Sequence, residues 1–150
     1  MIRILFVCHG NICRSVGAQY IFDKMLIENN LDGRICCESA ATSTEEIGNP
    51  IYPPMRRALE GHGIPIGDHR ARQLRRRDYE DYDILIGMDS ENMYYMKYIL
   101  GEDHEGKVHT LMEYTDTPSE LIDDPWYTRD FETAYRQITR GCEALLDSIR

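Results

Sequence analysis

A cysteine and an arginine framing a short loop, Cys8-His9-Gly10-Asn11-Ile12-Cys13-Arg14, followed by Ser15, are the residues of this chain best suited to chemistry. The loop follows an apolar run over residues 2–7 and leads into a segment with helical apolar spacing. A strand-to-helix turn gathers successive backbone N–H groups into one concavity, which the helix dipole makes positive. Gly10 permits the sharp turn, and Asn11 is among the few other residues that tolerate left-handed backbone angles. Such a nest suits a phosphate dianion, and Arg14 adds a planar fork for two of its oxygens. The same field favours the thiolate of Cys8, to which Ser15 can donate a hydrogen bond. A thiolate attacking phosphorus forms a phosphocysteine, which splits one difficult hydrolysis into two easier steps. The bare C-x5-R spacing arises often by chance. Its setting, after an apolar strand with Gly-Asn inside and Ser behind, gives it weight. The loop lacks the Gly-Lys-Ser/Thr of a nucleotide-binding loop, and no G-x-G-x-x-G occurs.

The leaving oxygen of a phosphate ester needs a proton, which the loop does not supply. A carboxylic acid over the loop is therefore expected, worth about 10²–10⁴ in rate. The best source is Leu121-Ile122-Asp123-Asp124-Pro125-Trp126-Tyr127. Pro125 forces the residue before it into an extended form and so aims Asp124. Trp126 and Tyr127 offer flat apolar walls for an aromatic leaving group. Asp124 reads equally well as a turn residue, and Asp123 beside it remains an alternative acid.

These residues need a frame. The apolar run at 2–7 predicts a strand buried on both faces, and Ala18, Ile21, Phe22, Met25 and Leu26 predict a helix over 14–30. Further strands are expected at 35–40, 83–88 and 107–112, and further helices near 54–62, 90–100 and 130–149. Strands alternating with helices imply a parallel α/β sheet, whose ligands bind beyond the carboxyl ends of the strands, where Cys8 stands. Tyr94, Tyr95 and Tyr98, with Met93 and Met96, make a sticky helix face that reads as core or, alternatively, as an interface, with core the first expectation.

The 150 residues, 42% hydrophobic and 29% charged, suit one domain over 1–150. The net charge of −9 argues against a nucleic-acid binder. The run Arg70, Arg72, Arg75, Arg76 and Arg77 reads first as a solvated turn, otherwise as a docking patch for an acidic partner. Five cysteines without framework or metal-ligand spacing, and no signal peptide or membrane span, point to a reduced cytoplasmic setting. Export without a signal stays open.

The chain resembles the low-molecular-weight protein tyrosine phosphatase family. The matching stretches run in family order: VCHGNICRS, ESAATS at 38–43, IGNP at 47–50, HGIPI at 62–66, HRARQL at 69–74, MDSEN at 88–92, DDPWY at 123–127 and DFETAY at 130–135. The resemblance implies a three-layer fold with a four-stranded parallel sheet, order 2-1-3-4, and helices on both faces. It implies phosphotyrosine hydrolysis, in proteins and small aryl phosphates, without metal or other cofactor; separately, a monomer or weak dimer is expected. Carried over, Cys8 is the nucleophile, Arg14 the phosphate-binding arginine and Asp124 the general acid. His9, Gly10, Asn11, Ile12, Cys13, Ser15, Glu45, Trp126 and Tyr127 line the substrate and phosphate site. Asn11 holds the loop with Ser39 among its partners, and His69 and Asp89 look like a supporting pair, with a buried structural histidine an equal reading of His69. Cys13 matches a second loop cysteine able to form a reversible disulfide with the nucleophile.

Four departures stand out. Val16-Gly17 replaces the usual proline after the serine, suggesting a softer helix start. His9 replaces an aliphatic residue, Glu45 an aromatic wall residue, and Arg129 a glycine common in bacterial relatives. Together they suggest a more polar rim and a distinct substrate preference. Three rivals are weaker. Arsenate reductases need relay cysteines near 80–90, and none lies between Cys37 and Cys142. Protein-arginine phosphatases carry a Thr where this chain has Ile12. A non-catalytic phosphotyrosine-binding module should lack the nucleophile, arginine or acid.

Overall fold

The computed structural model describes residues 1–150. Strands β1 (Ile2–Cys8), β2 (Ile35–Ala41), β3 (Ile84–Gly87) and β4 (Val108–Thr110) form one parallel sheet in the order β2-β1-β3-β4. Helices α1 (Arg14–Glu28), α2 (Pro53–Gly61) and α6 (Phe131–Ile149) are the longer elements of one face, and α3 (Asp78–Asp81) and α4 (Ser90–Leu100) lie on the other. A short helix, α5 (Pro125–Thr128), follows Asp124.

Two cores explain why β1 is apolar without alternation. Ile4, Phe6 and Cys8 pack into the larger cluster with Phe22, Met55 and Ile138. Leu5 and Val7, facing the other way, pack with Leu74, Met96 and Leu100. A central strand covered on both faces has no polar side to show. Phe6 and Phe22 meet edge-to-face at 5.7 Å, an arrangement worth about 0.5–1.5 kcal/mol beyond the area it buries.

The expected order of the sheet is present, and the elements fall within a few residues of their expected places. The fourth strand is the largest difference. Expected over 107–112, it ends at Thr110, and Leu111–Tyr114 form a 3-10 turn. There the Glu113 carboxylate accepts from the Thr110 amide at 2.8 Å, bending a run that the apolar pattern reads as straight. Tyr94, Tyr95 and Tyr98 are not core. They are 70%, 43% and 82% exposed, because α4 turns Asn92, Met96 and Leu100 to the sheet, one helical turn apart. Nor is the start of α1 visibly loosened by Gly17, which is buried against Met55 and Ile138.

Candidate active site

The loop after β1 owes its shape to Asn11, the residue in it with a positive φ, 59°. Asn11 is fully buried and held three ways. Its Nδ2 donates to Ser15 Oγ at 2.8 Å, its Oδ1 accepts from the Arg72 amide at 3.1 Å, and its carbonyl oxygen lies 2.6 Å from His69 Nε2. Burial, and then the charge of Arg70, push His69 below its ordinary value despite the Asn11 carbonyl, so the neutral ring donates from Nε2. The segment that supplies His69 and Arg72 is itself pinned. The Ala41 amide donates to Arg72 O at 2.8 Å, and Leu74 N–H returns a bond to Ala41 O at 2.7 Å. With the loop so fixed from behind, the amides of residues 9–13 donate to no protein acceptor. Cys13, at the N-cap of α1, provides no side-chain cap either. Those N–H groups are free for an anion.

Cys8 is the last residue of β1, and its Sγ is 3.0 Å from Ser15 Oγ and 3.4 Å from the Ser15 amide. As a thiol, Sγ donates to Ser15 Oγ. Once Sγ ionises the bond reverses, because Asn11 already donates to that oxygen and leaves the hydroxyl proton for sulfur. Cys13 is different. Burial first, and the neighbouring Cys8 second, push its thiol far up, so it stays protonated.

Arg14 is 2% exposed at the first position of α1. Its Nη1 donates to Asp89 Oδ2 at 2.7 Å and to the Ile122 carbonyl at 2.9 Å. Its Nη2 lies 3.4 Å from Asp124 Oδ2. Burial alone would lower Arg14, but Cys8, Asp89 and Asp124 outweigh it and hold the charge more firmly. Asp124 holds a turn position and also faces the cleft. It is extended (φ −83°, ψ 107°) and caps α5, with Oδ1 accepting from the Trp126 amide at 3.0 Å, while Oδ2 faces Arg14. Asp123 does not line the cleft; its amide donates to Gln137 Oε1 at 3.2 Å.

Cys8, His9, Gly10, Ile12, Cys13, Arg14, Asp89, Asp124, Trp126 and Tyr127 line a single cleft of about 520 Å³, joined by Glu45, Glu46 and Glu91. Residues more than a hundred positions apart thus share one wall-to-wall space beyond the carboxyl end of β1. The decisive comparison is with known families: residues 3–150 match the low molecular weight phosphotyrosine protein phosphatases.

The chain belongs to that family. It is therefore a phosphoric monoester hydrolase of the protein tyrosine phosphatase class. Among relatives of this low molecular weight phosphatase, YfkJ of Bacillus subtilis is 38% identical over all of this chain and 97% of its own length. The human low molecular weight phosphotyrosine protein phosphatase is 37% identical over 96% of this chain and 93% of its own. The crystal structure of YfkJ superposes with a TM-score of 0.95, covering 99% of this chain and 94% of that one at 37% identity. An arginine phosphatase from Drosophila superposes with a TM-score of 0.90 at 26% identity, covering 99% of this chain and 98% of its own.

Against this family frame, two expected partnerships are corrected. Ser39 does not hold Asn11: its hydroxyl donates to Gln19 Oε1 at 2.6 Å, tying β2 to α1. His69 and Asp89 are not a pair, since one holds the Asn11 carbonyl and the other grips Arg14 and caps α4. Arg72 carries more than a solvated turn requires. Its guanidinium donates to both carboxylate oxygens of the buried Asp78, at 3.0 and 3.2 Å, while its amide holds Asn11. A pair six residues apart on an irregular segment has no sequence periodicity to reveal it. Of the five arginines of 70–77, Arg72 thus turns inward, while the exposed Arg70 and Arg77 lie near Asp68 and Asp81.

Arg129 has a left-handed φ of 60°, a conformation that glycine adopts at less cost. Here the strain is offset by its Nη1, which donates to Tyr52 Oη at 3.0 Å, and by guanidinium stacking over Tyr52 and Phe131 at 5.6 and 5.4 Å. Trp126 packs on Tyr52 at 5.1 Å. No group of three or more His, Cys, Asp or Glu side chains is arranged as a metal site, and no helix is long and apolar enough to cross a membrane.

Proposed function

We propose that this chain hydrolyses phosphotyrosine, in proteins and in small aryl phosphates, through a phosphocysteine at Cys8. The convergence of Cys8, Arg14 and Asp124 on one cleft supports this reading most directly. The phosphate enters the nest of free amides and engages Arg14, whose 3.4 Å contact to Asp124 is the longest of its three and the easiest to displace. The Cys8 thiolate attacks phosphorus as the phosphorus–oxygen bond to the ring breaks, and Asp124 as an acid gives its proton to the departing phenolate oxygen. Water then attacks phosphorus, Asp124 takes its proton, and the phosphorus–sulfur bond breaks to restore the thiolate. Ser15, its oxygen already accepting from Asn11, donates its hydroxyl proton to sulfur whenever sulfur carries charge. The amides and Arg14 hold the equatorial oxygens throughout, so catalysis is mainly positioning and electrostatic stabilisation.

Rapid mixing with para-nitrophenyl phosphate tests the scheme. A burst of phenolate stoichiometric with enzyme is expected, absent in Cys8→Ser and slowed in Asp124→Asn. Hydrolysis that persists in Cys8→Ser would overturn the covalent route. The likeness to an arginine phosphatase makes phosphoarginine the natural competitor. The apolar Ile12 lining the cleft offers no hydroxyl to orient a phosphoramidate, so phosphotyrosine should be turned over faster.

A further inference from the structure

The floor of the cleft is balanced in charge, and its mouth is not. Asp89 and Asp124 stand against Arg14. Glu45, Glu46 and Glu91 line the same cleft, and apart from Arg14 the basic residue lining it is His9. His9 lies between two of them, with Nε2 2.9 Å from Glu45 Oε2 and Nδ1 3.6 Å from Glu91 Oε1. The second contact is not a hydrogen bond, and Nδ1 has no partner. A single imidazolium can cancel one of the three carboxylates at most, so the mouth stays anionic whatever the state of His9.

The arrangement is built into the loops. Ser43 donates from both its amide, at 3.0 Å, and its hydroxyl, at 2.9 Å, to the His9 carbonyl, which fastens the segment bearing Glu45 to the phosphate loop. Glu46 comes close because Gly10 has no side chain: a Cβ there would lie 3.3 Å from Glu46 Cγ. Glu91 is carried in on the first turn of α4, whose cap, Asp89, is fixed by Arg14. The Glu45 and Glu91 side chains are 69% and 64% exposed, against 28% for Asp124, so they stand nearer the entrance than the reacting groups. Trp126 and Tyr127, which share the lining, carry no charge.

This bears on substrate choice, given the phosphotyrosine reading above. With its phosphate on the loop, a tyrosine ring fills the depth of the cleft, and the neighbouring peptide residues emerge at the mouth. We propose that Glu45, Glu46 and Glu91, gathered about His9, select phosphotyrosines flanked by lysine or arginine and disfavour those flanked by aspartate or glutamate. Each exposed pairing of this kind changes an equilibrium by about 1.4- to 5-fold, so three acting together give a preference of about tenfold.

Two phosphotyrosine peptides that differ only in lysine or glutamate flanks provide the test, read as the ratio of their kcat/KM values within each enzyme form. The ratio cancels any general change in activity. In the wild type it should favour lysine by about tenfold at low salt and fall towards one in about 0.5 M salt, where the Debye length is only a few ångströms. It should drop to within about twofold in the triple variant Glu45→Gln, Glu46→Gln, Glu91→Gln, and invert in Glu45→Lys, Glu91→Lys. Glu102→Lys, a charge change in the loop after α4, should preserve it. A wild-type ratio near one, or one that survives the triple substitution, would show the carboxylates to be loop struts only. Failure to turn over either peptide or para-nitrophenyl phosphate would instead remove the phosphotyrosine reading itself.

Discussion

At the scale of single residues, the site is organised by which atom each group leaves free. Ser15 is the clearest case: one donor, Asn11, occupies its oxygen, so once the Cys8 thiol ionises the hydroxyl proton is left for its sulfur. Ser15→Ala should therefore lower kcat on para-nitrophenyl phosphate by about 10- to 100-fold, the worth of a hydrogen bond to a charged group. Competitive inhibition by inorganic phosphate should change much less, because Arg14 and the loop amides remain. Equal losses in both would assign Ser15 to phosphate binding. Arg72 illustrates the converse. Its guanidinium spares Asp78, 2% exposed, from being a lone buried charge. Arg72→Ala should cost about 3 kcal/mol in urea unfolding, as expected when one partner of a buried pair is removed, and Arg72→Lys should recover part of it. The arginine run as a whole gave no hint of this, since charge spacing along an irregular segment says nothing about which member turns inward.

At the scale of elements, two helical glycines make opposite predictions. A Cβ on Gly17 in α1 would meet Met55 Sδ at 3.6 Å, ordinary contact, so Gly17→Ala should raise stability by about 0.5–1 kcal/mol through helix propensity. A Cβ on Gly141 in α6 would lie 2.5 Å from Leu111 Cγ and 3.1 Å from Met112 Sδ, so Gly141→Ala should destabilise by about 1–3 kcal/mol. Urea unfolding of the two variants beside the wild type separates them. A residue-by-residue reading treats both as mid-helix defects. The difference lies in α6 passing directly over the turn at Leu111–Tyr114, a contact between segments thirty positions apart.

At the scale of the whole molecule, stability should carry the signature of His69. Its value is lowered in the fold by burial and by Arg70, so the unfolded chain takes up that proton first on acidification. The stability His69 contributes is then fully present above its ordinary value of about 6.5 and is lost as the pH falls through it. The melting temperature of the wild type should drop between about pH 7 and pH 5, and His69→Gln should drop less over the same interval. A wild type and variant with parallel profiles would show that folding does not lower the value of His69.

The sequence by itself determined the parts whose cause is local. An apolar strand ending in Cys-His-Gly-Asn, a helix beginning at Arg14 and an extended Asp124 before Pro125 follow from covalent geometry, steric limits and periodicity, and the structure shows each in place. Their convergence could be expected, because ligands of parallel sheets gather beyond the strands' carboxyl ends. Only the tertiary structure decided the partnerships: Asn11 with His69 and Arg72 instead of Ser39, Asp89 with Arg14, and His9 between Glu45 and Glu91. Hydrogen bonds and ion pairs are fixed to a few tenths of an ångström by the packing of several elements at once, and no spacing along one chain encodes that distance.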